Sequence, residues 1–491
     1  MLLALNAACS RTRHPVERVA FLPFENLSGD QALDWIATVG PRIVTDQLLG
    51  SAPATVPIQA GAIRDAYATN ATKLVHGYFE KRRGAVQGAL HFEFVVEDAQ
   101  THKTLQTVAG DGDPLPAFDR LAKNIDEGAH EFSTANAEAV AAWGNGDFEK
   151  AVRLDPAFGA AWLAWVDARS AAGDAKQASE ILQQALGQPA LKSPVDRTRL
   201  ELASATLRHD DPARQRAVAA LAKFMPNDAA LLRQLANQET NARQFSQAAQ
   251  FYQDVLRIEP EDIESWNLLG YAQAFAGDLE GARKSFERYG SDPVHAANAL
   301  DSTGEAFFSR GKFAEAEKYF LQAHAKNSGL LSGDDLLKAA YSRWLQGDLP
   351  GADRQFAQYV AFRNQQKDPL VVWRQAVWEY STGRTDAAIN RLAHVAGEDP
   401  AAQIARGQVA LWKDLSHLPA DPAQLKPLYE RTPPALDGIT RVLYASALVQ
   451  AGQKDEARKL LELWPLPGLD GDPLLQSLLF PKYLELKRQL N

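Results

Sequence analysis

The stretch that decides the fold is WNLLGYAQAFAGDLEGARKSF, residues 266–286. Trp266 and Gly270 are one helical turn apart, so they share a face of the first predicted helix. Gly277 suits the left-handed residue that ends a helix, and the aspartate after it suits the cap of a second helix. Gly270 lacks a Cβ, so another helix can approach closely there. Ala282 and Phe286 on the second helix would face back, with the small residue against the glycine and the large one beside it. The stretch therefore predicts two packed helices joined by a tight turn.

The same hairpin pattern recurs along the chain. Turn glycines are separated by 34, 36 and 36 residues at Gly277, Gly311, Gly347 and Gly383. Arg243 takes the corresponding position one unit upstream, while Gly173 and Gly452 lie about two periods further out. These gaps predict degenerate units at 193–226 and 401–433. Because one hairpin cannot bury its apolar face alone, such units are expected to stack.

The period, the residue pattern and the closing prolines Pro226, Pro260 and Pro400 resemble the tetratricopeptide repeat. The resemblance covers residues 137–465 and implies an all-α superhelix of about eight to ten hairpins with a concave binding face. Residues 466–491 are predicted to form a C-terminal capping helix, broken at Pro481.

The periodicity differs before residue 135. VERVAFLPF (16–24) predicts a buried strand, and the residues after it predict a helix capped near Ser28 or Asp30. Three later segments, KLVHGYFEKR, LHFEFVVEDAQ and THKTLQT, read as antiparallel strands with a turn at residues 98–101. The chain as a whole is therefore predicted to be α+β, with a small N-terminal α/β domain.

The segments RVAFLPFENLSGDQALDWIATVG and KLVHGYFEKRRG resemble parts of the TolB amino-terminal-like domain. This resemblance covers about residues 16–135. In that family the domain usually follows a nucleotide cyclase, a kinase or a winged-helix DNA-binding module. Since only fifteen residues precede Val16, we expect the chain to be a sensor or scaffold part without its own effector.

The composition excludes some classes of function. The formal net charge is −9, which argues against a general nucleic-acid binder, because such proteins need a basic face. No apolar run is long enough to predict a membrane span. Cys9 is the only cysteine, so neither an intramolecular disulfide nor a cysteine-based zinc site is expected.

The opening MLLALNAACSRTR resembles the end of a bacterial lipoprotein signal, with Cys9 as the lipidated residue and residues 1–15 as a signal remnant and linker. That would place the protein on the periplasmic side of the envelope; otherwise it would be cytoplasmic. The apolar run is short for a complete signal, which would put the true start upstream of Met1. A second departure is Asn6, which stands where such signals favour leucine. The alternative, an incidental thiol in a frayed terminus, stays open.

The sequence shows none of the common catalytic or phosphate-binding motifs, so no cofactor or metal is expected. His209 is followed by two aspartates, a pattern that could indicate a metal site. Asp211 precedes a proline, however, and this pair favours an N-terminal helix cap. Residues 111–113 and 470–472 read as turns rather than calcium loops. Ser28 with Gly29 reads as a helix cap rather than an anion-binding loop.

The resemblance to tetratricopeptide repeats implies which side chains would line the concave face. The predicted binding residues are Arg233, Asn237, Asn241, Asn267, Tyr271, Asp301, Glu305, Tyr341, Trp344, Trp373 and Tyr380. Aromatic residues with a polar tip are favoured in interfaces, although such residues also fill contacts between neighbouring helices, and both readings stay open. The carboxylate clamp of chaperone-binding arrays is doubtful, because Glu264 and Leu268 occupy inward positions of the next unit.

These observations predict a non-enzymatic scaffold that binds a peptide or protein segment. One alternative is a regulatory module that acts in trans on a bacterial kinase, cyclase or transcription regulator. A second is an enzyme site in the N-terminal domain, for which no nucleophile and base are visible. The membrane would be involved only through Cys9, and the sequence does not predict an oligomeric state.

Overall fold

The computed structural model describes residues 17–49, 55–82, 89–467 and 472–491. The chain forms two compact units, with the boundary between Leu235 and Ala236. An N-terminal mixed sheet with helices is followed by paired helices in a tetratricopeptide-like array, as the fold-class prediction stated. Cys9 and the rest of segment 1–15 lie outside the described residues, as do residues 470 and 471 of the predicted turn.

Among the residues that the structure describes, the first unit begins with six strands and three α-helices. The strands are β1 (Glu17–Phe21), β2 (Glu25–Asn26), β3 (Thr55–Gln59), β4 (Lys73–Glu80), β5 (Leu90–Asp98) and β6 (Thr104–Gly112). The helices are α1 (Asp34–Leu48), α2 (Ile63–Ala68) and α3 (Pro114–Ile125). The strand order is β3-β1-β4-β5-β6, with β2 beside β4.

The sheet is mixed because β1 pairs in parallel with both β3 and β4, whereas β4, β5 and β6 pair antiparallel. The three predicted antiparallel strands are thus confirmed, as is the turn after Asp98, whose carboxylate accepts from the Thr101 amide. Asp30 caps the helical segment after β2, as predicted, by accepting from the Ala32 amide. The phenylalanine rings of β5 pack against Phe118 of α3, which joins sheet and helix in one core.

Helices make up the rest of the chain. In the first unit they are α4 (Ala137–Gly144), α5 (Phe148–Leu154), α6 (Gly159–Ala171), α7 (Ala175–Leu186), α8 (Pro194–Leu207) and α9 (Asp211–Phe224). The unit boundary falls within α10 (Ala229–Asn241). In the second unit they are α11 (Phe245–Ile258), α12 (Ile263–Ala276), α13 (Leu279–Tyr289), α14 (Ala296–Ser309), α15 (Phe313–Lys326), α16 (Asp334–Leu345), α17 (Leu349–Gln365), α18 (Val371–Ser381), α19 (Thr385–Ala393), α20 (Pro400–Lys413), α21 (Pro422–Arg431), α22 (Gly438–Gln450), α23 (Lys454–Leu460), α24 (Pro473–Gln476) and α25 (Leu479–Leu490).

The predicted turns have the geometry that the hairpins require. Glycines 173, 277, 311, 347, 383 and 452 all have positive φ, the conformation that glycine adopts without a steric cost. Arg243 also has a positive φ, of 59°, which an L-residue with a side chain adopts only at some cost. The close approach predicted at Gly270 is present, but the ring of Phe286 rather than the small Ala282 lies against it, since a Cβ added to Gly270 would lie 2.5 Å from that ring.

Three details differ from the sequence predictions. The hairpin at 193–226 is present as α8 and α9, but its cap is Asp210 rather than Asp211. The second degenerate unit, 401–433, is not a hairpin, because α20 packs on α19 and α21 packs on α22. Pro481 does not break the last helix: α25 begins at Leu479, so Pro481 lies in the first turn, where its missing N–H costs nothing.

Replacing Gly270 by alanine should destabilise the second unit by about 1–3 kcal/mol, because the new methyl group overlaps the Phe286 ring. Urea denaturation of the variant measures this loss. Adding Phe286→Leu to Gly270→Ala should cost less than the sum of the two single changes, since the smaller side chain makes room. Strict additivity in that double-mutant cycle would contradict the proposed overlap.

Candidate binding site

The predicted binding residues lie in both units. Arg233 belongs to the first unit and the other ten belong to the second. Asn237 accepts a hydrogen bond from the Tyr252 hydroxyl at 2.6 Å, and Asn241 is exposed. The side-chain oxygen of Asn267 is buried and accepts no hydrogen bond among the described residues.

A first group of predicted residues is polar and joins α12, α14 and α16. Lys338 donates to Asp301 Oδ2 at 2.7 Å and to Glu305 Oε1 at 2.6 Å. The Tyr271 hydroxyl donates to Glu305 Oε2 at 2.7 Å. Asp335, one residue after the start of α16, is fully buried. We call Asp301, Glu305, Asp335 and Lys338 the acid–lysine cluster.

Burial sets the protonation of this cluster. Burial and the neighbouring charge of Asp301 raise the pKa of Asp335 to about 8. Neither carboxyl oxygen of Asp335 accepts a hydrogen bond among the described residues. The Asp335 carboxyl is therefore protonated at neutral pH. Burial also raises the pKa of Glu305, against the opposing charge of Lys338.

The pKa of Lys338 shifts the opposite way from what burial alone would give. Burial lowers it, but the charges of Asp301 and Glu305 outweigh that effect and raise the pKa well above its ordinary value. The lysine is therefore charged at any ordinary pH, and it holds two carboxylates from a neighbouring helix. A buried ion pair of this kind fixes the register of the two helices more than it adds stability.

A cavity of about 290 Å³ opens beside the acid–lysine cluster; we call it the acidic cavity. One wall includes Tyr271, Asn298, Asp301, Glu305, Asp334 and Lys338, and the other includes Ala435, Leu436, Gly438, Leu466, Pro467 and Gln476. Leu331 and Leu436 lie on its lining although their side chains are 46% and 48% exposed. Three consecutive residues, 331–333, have positive φ there, and such strain is often found at ligand sites.

The second group of predicted residues is aromatic and is covered by the chain's own C-terminal helices. Phe480 of α25 stacks on Tyr341 with 4.7 Å between ring centroids and meets the edge of Trp344 at 5.9 Å. The Trp373 indole donates to Gln408, which in turn donates to the Ser477 hydroxyl. The expectation that these rings line an open groove therefore needs correction: residues 473–490 already occupy it.

The apolar surface that residues 473–490 bury determines how strongly this segment is held against the aromatic group. Six side chains of the C-terminal segment are almost completely buried: Leu478, Leu479, Phe480, Tyr483, Leu486 and Leu490. At about 1.5–3 kcal/mol for each buried apolar side chain, the six side chains contribute about 9–18 kcal/mol, which is an upper estimate because the unfolded chain already buries part of this surface. A peptide that exchanged with it would need to recover all of this. The aromatic group is thus part of the core, and Tyr380 follows it, since its ring stacks on Trp412 at 4.4 Å.

The sequence analysis missed the partners of the predicted residues. Asp335 and Lys338 are three residues apart on one helix, and Asp301 and Glu305 are four residues apart on another. Both spacings place the charges on one helix face. Two such faces one repeat apart were a detectable signal for an ionic contact. Phe480 gave no such signal, because nothing local shows where a terminal helix will pack.

Two kinds of feature are absent from the described part of the chain. Within residues 17–49, 55–82, 89–467 and 472–491, no group of three or more histidine, cysteine or acidic residues is placed to hold a metal ion. In the same ranges, no helix combines the length and apolar character that crossing a bilayer requires. His209 itself lies in the α8–α9 turn with a positive φ.

Comparison with known proteins gives structural likeness only. No protein-family model matches the chain, and no curated protein sequence matches it. Among solved structures, Naa15/Naa10 bound to HypK-THB matches with a TM-score of 0.33 and 16% identity, over 71% of this chain and 55% of that one. Yeast Tom70 matches with a TM-score of 0.30 and 12% identity, over 72% and 88%.

The tetratricopeptide-repeat domain of P58(IPK) matches with a TM-score of 0.20 and 15% identity, over 72% of this chain and 94% of that one. This chain thus spans about half of the Naa15/Naa10 chain that it matches. Superpositions at these low TM-scores carry no argument about function. The functional argument depends on the contacts of this chain.

Replacing Phe480 by alanine should lower the free energy of unfolding of the second unit by about 3–5 kcal/mol, because the change leaves a cavity among buried rings. The matched control is Gln489→Ala on the exposed side of the same helix, which should change stability by less than about 0.5 kcal/mol. Hydrogen exchange of the α25 amides measures both. Equal protection in the two variants would show that α25 is not part of the core.

The stability of the second unit should fall as the pH rises towards about 8, partly through Asp335. The folded protein keeps a proton on this carboxyl that the unfolded chain, with an ordinary pKa of 3.8, releases. The asparagine of the Asp335→Asn variant cannot titrate. The free energy of unfolding of this variant, relative to that of the wild type, should therefore rise between about pH 5 and pH 8, by at most about 1.4 kcal/mol per pH unit. Urea denaturation across this range tests the effect, with the exposed Asp386→Asn as control. Parallel pH profiles for the wild type and Asp335→Asn would refute it.

Proposed function

We propose that the protein is a non-enzymatic scaffold and that its second unit binds a segment of a partner protein at the acidic cavity. The observation that carries this proposal is the convergence of three predicted binding residues, Tyr271, Asp301 and Glu305, on one open cavity. The aromatic group is unsuited to the role, because the C-terminal helices already fill it.

The lining of the acidic cavity fits a peptide better than a small apolar ligand. Its floor holds charged groups whose hydrogen bonds are fixed within the protein. Its rim presents two half-exposed leucines, Leu331 and Leu436. A polar centre with apolar side chains at the edge can take both the side chains and the backbone of a polypeptide. A pre-formed cavity also spares the partner the cost of ordering the scaffold.

Two finer parts of the proposal come from the sequence resemblances alone. We propose that Cys9 carries a lipid anchor in a bacterial envelope, and that the N-terminal sheet with its helices is a TolB amino-terminal-like domain. The alternative, a regulatory role in trans on a kinase, cyclase or transcription regulator, rests on the same resemblance. The contacts described above favour partner binding in general and do not choose between these settings.

A photoreactive residue at Asn298, which lines the acidic cavity, should capture a partner in cells. The same probe at exposed Asp386 or at the covered Trp344 should capture that partner much less. Mass spectrometry of the captured product measures this difference.

A matched pair of leucines tests the cavity itself. Leu436→Asp should lower capture from Asn298 about tenfold, because it places a charge on the apolar rim of an acidic cavity. Leu428→Asp should not, since this leucine is equally exposed, at 51%, but does not line the cavity. Capture that is equal at Asn298 and Asp386, or insensitive to Leu436→Asp, would refute the proposed site.

A further inference from the structure

A second cavity of about 440 Å³ adjoins the acidic cavity within the second unit. The two share three lining residues, Ala435, Gly438 and Leu466. The larger cavity is lined by four basic side chains, Arg243, Arg310, Arg441 and Lys459, and by two acidic ones, Asp437 and Glu462. Four positive and two negative charges leave an excess of two positive charges, so we call it the basic cavity.

The three guanidinium groups are held in place by the protein. Arg243 donates to the Tyr429 carbonyl and to Asp437 Oδ2, each at 3.0 Å. Arg441 donates to the Leu463 carbonyl at 3.1 Å, and its Nε lies 3.1 Å from Asp437 Oδ1. One carboxylate therefore lies between two guanidinium groups and neutralises only one of the two charges.

Among the described residues, Arg310 donates hydrogen bonds only to backbone carbonyls. It donates to the carbonyls of Ala274 at 2.9 Å and Phe275 at 2.5 Å. These contacts orient the guanidinium group but do not neutralise it. Burial lowers the pKa of Arg310 slightly against the charge of Glu462, yet an arginine remains charged at any ordinary pH. The basic cavity thus contains fixed positive charge that the described residues do not fully balance.

Lys459 indicates that the basic cavity is a ligand site and not only a cluster of structural ion pairs. The arginines also tie distant segments of the second unit together, so their contacts alone have a structural explanation. Lys459 is exposed on α23 and forms no ion pair within the residues that the structure describes. It therefore adds charge to the basic cavity without stabilising the fold. The aromatic side chains Phe245, Phe275 and Trp464 line the same cavity and would strengthen a charge interaction there by excluding water.

We infer that the basic cavity binds an acidic side chain of the partner segment, either a carboxylate or a phosphorylated serine. This inference rests on the proposed function and states the chemistry of the partner. The chain as a whole has a net charge of −9, whereas the basic cavity is locally positive. The negative surface would repel acidic segments in general, and the cavity would attract an acidic side chain at this one place. The neighbouring acidic cavity would favour a donor or a basic side chain elsewhere on the same segment.

Three fluorescent peptides of about ten residues serve as probes of the full chain: alternating alanine with glutamate, with phosphoserine, or with lysine. At low ionic strength one or both acidic peptides should bind at least about tenfold more tightly than the lysine peptide, and added salt should weaken them. The comparison of the two acidic peptides shows which acid the cavity prefers. Fluorescence anisotropy measures all three.

Two lysines on α23 provide the matched control. Lys459→Glu should weaken binding of the acidic peptides about tenfold. Lys454→Glu, an equally exposed change on the same helix that lies off the cavity, should change it less than about twofold. Both variants should keep the wild-type thermal unfolding curve.

The inference is overturned if the lysine peptide binds as tightly as the acidic ones, or if the two variants behave alike. It is also overturned if no peptide binds while Asn298 still captures a partner; the proposed function then survives. If Lys459-dependent binding is found but Asn298 captures nothing, the acidic cavity fails as the docking site and the basic cavity stands.

Discussion

The contact between Phe480 and the inward rings of α16 is the constraint on which the second unit depends. Phe480 lies against Tyr341, Trp344 and Phe308, so it is covered by side chains from two successive hairpins. Stacked hairpins leave an apolar inner face that requires a cover. In this protein the cover is α25 of the same chain, which makes α25 a structural element.

Buried polar contacts also hold the helices of the second unit together. Lys338 links α14 to α16 through two buried acceptors, and Arg243 links the α10–α11 turn to residues near α22 through Asp437. Each places a charge where removal of one partner would leave the other buried and unpaired, which is costly. The same charged groups line the two adjoining cavities, so the interactions that hold the unit together also give its open surfaces their opposite signs.

Local signals in the sequence predicted the hairpins well and the contacts between distant segments poorly. Gly277 and Gly270 reveal their roles through spacing, because a helix turn and a close approach of two neighbouring helices are short-range requirements. The parallel pairing of β3 with β1 and the docking of α25 involve residues far apart in the chain, and no periodicity encodes them. Of the residues that line the two cavities, Tyr271, Asp301 and Glu305 were predicted from their inward positions. Lys338 and Lys459 were not predicted, because their place in the cavities depends on which helix faces meet.

The covering helix α25 follows the hairpins that it covers in the order of the chain, and this order has a consequence for biosynthesis. Domains generally fold as units while the chain is being made, starting from the N-terminus. The first unit can follow that order, because its core is assembled from residues before 236. The inner face of the second unit stays uncovered until residues 479–490 have left the ribosome, so a product that stops before residue 479 would expose an aromatic surface.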